Sequence, residues 1–92
     1  MDPRSLVVRL ESPFAEYTST DVPAREVVMA GLTWPTDYWP GLAISWLEQG
    51  APIDERVAAA LDQVAEKKAF PQNIRHRALA LARRWYRKHD AV

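Results

Sequence analysis

Few residues in this chain have the type and spacing for chemistry. His76 and His89 are its two histidines, thirteen positions apart. On one helix that spacing turns them about 140° from each other, so they cannot chelate a metal on a shared face. His76 also stands among arginines, which disfavour a bound cation. Asp62 and Glu66 form an i, i+4 carboxylate pair, and Asp54 and Glu55 are adjacent. A di-metal centre needs carboxylates from facing helices together with histidines, and the sequence supplies neither, so both pairs read as helix surface. Ser45 lacks a G-x-S-x-G frame. The three glycines are scattered and form no phosphate-cradling loop. Without cysteine there is no disulfide and no thiolate site. The expectation is a protein that is not an enzyme, with no metal, no cofactor and no small-molecule substrate.

Charge is more informative. The net charge is zero, but residues 1–66 hold eleven acids against four bases, and residues 67–92 hold eight bases against one acid, Asp90. The halves therefore stand at −7 and +7. The basic half contains "PQNIRHRALALARRWYRKH". Wound at about 100° per residue, it places His76, Arg77, Arg83, Arg84, Arg87 and Lys88 on one arc, bordered by an apolar stripe of Ile74, Ala78, Leu81, Ala82 and Trp85. Arginine forks match carboxylate and phosphate oxygens. Such an arc suits an acidic protein surface or, alternatively, a nucleic-acid backbone. A third reading is internal: Glu55, Asp62 and Glu66 share a strip on the preceding helix, and facing stripes would flank an apolar seam as e and g charges do in coiled coils. Three features weigh against nucleic acid: a pI near 6.7, the acidic half, and the lack of a helix-turn-helix or zinc-finger signature.

The second candidate site is "TWPTDYWPG", Thr33 to Gly41. Trp39 and Trp46, seven apart, fall on one helix face and read as core. Trp34 and Tyr38 lie at the loop-to-helix join and are the contact candidates, since tryptophan and tyrosine dominate binding hot spots.

Three helices must position these groups. The first covers "DYWPGLAISWLEQG", ended by Gly50. Its start has two rival readings: Thr36 or Asp37 as cap with Pro40 late in the first turn, or Pro40 itself at the first position. The second starts on Asp54 as N-cap and places Lys67 and Lys68 in its last turn. The third begins at Pro71. Residues 1–35 are less defined. "SLVVRL" alternates as a strand would, with Leu6, Val8 and Leu10 on one side, and it could pair with "REVVMAGL" as a small ribbon. The reading preferred here is a short helix over 23–30 with an extended or weakly structured arm before it.

The expected fold is mainly α: one domain over 1–92, with three core helices in 36–92 and an N-terminal arm in 1–35. No apolar run reaches the ~18 residues of a membrane span. The N-terminus, with an acid at position 2 and a short apolar patch, does not read as a signal peptide. The expected location is cytoplasmic. The expected role is a small interaction module that binds a protein partner, with nucleic-acid binding as the alternative.

Overall fold

The computed structural model describes residues 3–18 and 22–90. Its elements are α1 (Pro3–Val7), which tightens into a 3₁₀ turn over Val8–Glu11, a second 3₁₀ turn at Phe14–Glu16, then α2 (Ala24–Leu32), α3 (Tyr38–Glu48), α4 (Glu55–Glu66) and α5 (Gln72–Asp90). Among the described residues there is no strand. The fold is mainly α and compact. Helix α2 packs on α3 and α4 on α5, while α2–α4 and α3–α5 contacts close the ring and α1 packs on α2.

The N-terminal third differs from expectation. "SLVVRL" is helical, and its buried residues are Val7 and Leu10, three apart, whereas Val8 is 46% exposed. A strand with Leu6, Val8 and Leu10 inward, and with it the ribbon, is therefore not formed. Helix α2 does form in place of a second strand. Its Val27, Val28, Gly31 and Leu32 are all buried. This i, i+1, i+4, i+5 set lies on one side of a helix but on both faces of a strand. Tertiary burial thus overrides the β preference of its valines. With Val27 and Val28 fully buried, α2 is a fourth core helix and not part of an arm.

Helix α3 resolves the question of its start. Asp37 occupies the N-cap position without a side-chain cap bond, and Pro40 is the third helical residue. Its missing N–H costs nothing there, because the first helical N–H groups have no carbonyl one turn back. The first rung is Gly41 N–H to the Asp37 carbonyl, 3.3 Å. The helix ends as a Schellman motif: Ala51 N–H bonds Trp46 O at 3.1 Å and Gly50 N–H bonds Leu47 O at 3.2 Å. Gly50 has φ of +116°, a conformation open mainly to glycine.

Trp46, 1% exposed, lies beneath residues 12–17. Its Nε1–H donates to Ser12 O at 2.8 Å, Phe14 N–H donates to Gln49 Oε1 at 2.9 Å, and the Phe14 and Tyr17 rings tilt onto the indole with centroids at 5.5 and 5.1 Å. The Tyr17 hydroxyl bonds the Val22 carbonyl. Trp39, expected in the core beside Trp46, is only half-buried.

Asp54 caps α4 as expected, its Oδ1 accepting from Val57 N–H at 2.9 Å. Its Oδ2 lies 2.7 Å from Arg25 Nε on α2. The Arg25 N–H points off this oxygen, so the contact is an ion pair and not an aligned hydrogen bond. Helix α4 ends at Glu66, so Lys67 and Lys68 follow it instead of occupying its last turn. Helix α5 starts at Gln72, one residue after Pro71.

Two helical glycines should respond oppositely to alanine. A Cβ on Gly31 would stand 2.6 Å from Leu10 Cδ1, 3.0 Å from Ala43 Cβ and 3.2 Å from Trp39 O. A Cβ on Gly41 would meet only Ile74, at 3.4 Å. We predict that Gly31→Ala destabilises by about 1–3 kcal/mol through overpacking. Gly41→Ala should be neutral or stabilising by up to about 1 kcal/mol through helix propensity. Urea denaturation checks both; equal effects would show that the α2–α3 approach is not tight.

Candidate functional site

Helix α5 buries Ala78, Leu81 and Ala82 and half-buries Ile74, Trp85 and Tyr86. The same winding turns most of its bases outward, while Arg75 is half-buried. His76, Arg83, Arg84, Arg87 and Lys88 are exposed, and Arg77 is half-buried at the edge.

The arc is not electrically uniform. Arg77 bonds Glu48 on α3 in a fork, Nε to Oε2 at 3.1 Å and Nη2 to Oε1 at 2.7 Å, and Nη2 also reaches Ser45 Oγ at 3.0 Å. The hydrogen bond to Glu48 raises the Arg77 pKa, opposed by burial and supported by the carboxylate charge. Arg77 thus pins α5 to α3 with its charge matched inside the chain. His76 Nε2 lies 3.4 Å from Gln72 Nε2. Arg83, Arg84, Arg87 and Lys88 form no ion pair among the described residues.

The acids of α4 do not neutralise this arc. Asp62 Oδ2 accepts from Tyr86 O–H at 3.0 Å, and Glu55 and Glu66 are exposed without an ion pair among the described residues. Tyr86 lies on the α4 side of α5 and Arg77 on the α3 side, with Arg84 and Lys88 winding to the same side as Arg77 further along the helix.

Near the end of α5 the basic surface borders a cleft of about 280 Å³. Its apolar lining is Leu47, Ala51, Ile53 and Leu81, and Arg84, Lys88, Trp85 and His89 complete it. The turn at Gly50 brings residues 51–53 back under α5. Trp85 fixes that approach, its Nε1–H donating to Ile53 O at 3.0 Å. The His89 ring stacks on the Trp85 indole at 4.1 Å and 20°, with Nδ1 2.9 Å from Trp85 O. Sequence reasoning placed Trp85 in the apolar stripe and did not find this cleft, because its other wall comes from residues 47–53. The one visible signal was a tryptophan set among arginines.

The aromatic candidates separate. Trp34 is half-buried and packs against the core. Tyr38 is 54% exposed. Its ring meets Trp39 edge-on at 4.7 Å and 74°, and its O–H donates to Glu11 Oε2 at 2.9 Å. A second hollow of about 280 Å³, lined by Arg9, Ser12, Glu16, Tyr17 and Thr18, is polar, and its Arg9 already donates to the Tyr17 hydroxyl at 3.3 Å. Among the described residues no group of three or more histidines and acids converges on a common centre, and no helix is long and apolar enough to cross a membrane.

The hydrogen bond to Glu11, with lesser help from desolvation and the carboxylate charge, raises the Tyr38 pKa above the ordinary phenol value. A raised folded-state pKa contributes stability that is complete below the ordinary phenol pKa and is lost as pH rises through the folded value. Ultraviolet titration should show one of the three tyrosines ionising late, and Glu11→Gln should move that transition to lower pH. An unchanged titration would mean that the Glu11–Tyr38 bond does not persist in solution.

No family model, no curated protein and no solved structure matches this chain.

Proposed function

We propose that the chain is a non-catalytic, cytoplasmic interaction module that binds a protein partner through the outer face and final turns of α5. One observation carries this reading: a half-open apolar cleft lies directly beside Arg84 and Lys88, two exposed cations without an ion pair among the described residues. Apolar floor and charged rim are the two components of a protein interface. A buried side chain of the partner supplies most of the affinity, while rim charges steer encounter and select an acidic surface. Arg83 and Arg87 extend that charge along the helix beyond the cleft.

Nucleic acid is the alternative, because unpaired arginines along one helix face also suit phosphates. The cleft favours protein, since contacts to a phosphate backbone need no apolar hole.

Capture of partners from an extract by the tagged chain, with and without nuclease, tests the two readings together. We predict capture of protein that survives nuclease, weakens with salt and falls at least about tenfold when Arg84→Glu and Lys88→Glu are combined, as expected for losing more than about 1.4 kcal/mol. Capture that disappears with nuclease, or direct binding of fluorescent DNA, RNA or heparin that falls steeply between low and moderate salt, would transfer the site to nucleic acid. Capture unaffected by the two substitutions would reject the site.

A further inference from the structure

We infer that the partner fitting the cleft is a second copy of this chain, whose Tyr38 enters it with Glu11 and Asp37 set against Arg84 and Lys88. This rests on the docking role just given to α5.

The first support is size. A hollow of about 280 Å³ lies just below the ~300–1,000 Å³ of small-molecule sites and suits one inserted side chain. The second is the shape of the knob. Among the described residues, Tyr38 and Val8 are the large hydrophobic side chains that stand exposed. Tyr38 is already held, by its edge-on contact with Trp39 and its bond to Glu11. A preorganised aromatic loses little conformational freedom on docking, which is what makes tyrosine an effective anchor.

The third support is charge. Glu11 and Asp37 are both exposed, and neither forms an ion pair among the described residues. Asp37 does not use its side chain to cap α3. Two carboxylates beside an exposed ring are the counterpart of two cations beside an apolar hole. The wider charge agrees: the −7 and +7 halves of the sequence complement each other between copies, and a net charge of zero sets up no overall repulsion.

The contact must be intermolecular. Tyr38 begins the eleven-residue α3, and Leu47, on the cleft wall, is near its other end. They are separated by about 15 Å of helix, so a molecule cannot fill its own cleft with its own Tyr38. Knob and hole are different surfaces, so either can be removed while the other is kept.

That asymmetry gives a complementation test by sedimentation velocity. The wild-type chain should associate as its concentration rises at low salt and dissociate at high salt. Tyr38→Ala removes the knob and leaves the hole; Arg84→Glu with Lys88→Glu removes the charged rim and leaves the knob. Each variant alone should remain monomeric under conditions where the wild type associates. Their equimolar mixture should form a one-to-one complex, because one intact knob and one intact hole remain. All these side chains are exposed, and circular-dichroism melts would verify that the folds are retained. A wild-type chain that stays monomeric up to about 1 mM, the weakest dissociation constant expected of such a contact, would overturn the proposal. So would association that persists in either variant alone, or a mixture that does not pair. If the chain is monomeric but capture from extract still depends on Arg84 and Lys88, self-pairing fails while the docking role of α5 stands.

Discussion

The burial of Trp46 is the constraint on which the rest of the structure depends. It is the largest side chain buried completely, and an indole in that state contributes about 3–5 kcal/mol relative to alanine. That is a large share of the ~5–15 kcal/mol by which a domain is stable. The indole N–H needs an acceptor, and α3 offers none, since its own carbonyls serve its helical bonds. Ser12 O meets that need. The N-terminal segment is therefore fixed across α3 by a polar requirement as well as by the Phe14 and Tyr17 rings. Once α3 is held on that side, α2 fits beside it through the small contact made by Gly31 and Ala43, and its other flank is left for α5.

The same packing explains where the charges lie. Helix α5 is amphipathic, and its apolar stripe is covered by α3 and α4. Its bases have only two ways to reach an acid inside the molecule: sideways to α3 or sideways to α4. Arg77 takes the first route to Glu48. The second is occupied by Tyr86, a neutral donor to Asp62. Arg83, Arg84, Arg87 and Lys88 are exposed and form no ion pair among the described residues, and that gives the surface its polarity.

Much of the helical core was legible in the sequence. Asp54 capped α4, Gly50 closed α3, and the buried stripe of α5 followed the 3.6-residue period. These features are local, and each carries its own physical signature. The N-terminal third was harder. "SLVVRL" and "REVVMAGL" are too short for periodicity to separate helix from strand, and the decision was made by burial against α3, which is remote in sequence. Trp39 packs against the core but is only half-buried, because a helical wheel gives direction but not depth. The wheel placed the bases of the arc on one side of α5. The wheel could not foresee the withdrawal of Arg77 to Glu48, nor a cleft whose walls come from two segments about thirty residues apart.

The enclosure of Trp46 also sets long-range contacts against local ones. Helices α4 and α5 are joined by a short turn and form a hairpin from neighbours in sequence, the kind of contact that closes early. The enclosure of Trp46 instead joins Ser12 and Phe14 to Trp46 and Gln49 across more than thirty residues, and such closures carry a larger entropic cost before they are rewarded. The basic face of α5 therefore belongs to a local hairpin, whereas the hole beside it also needs Leu47 and Ala51 from the end of α3 and the turn after it. Charge and hole have separate origins in the chain, and they stand side by side only where the hairpin is packed on α3.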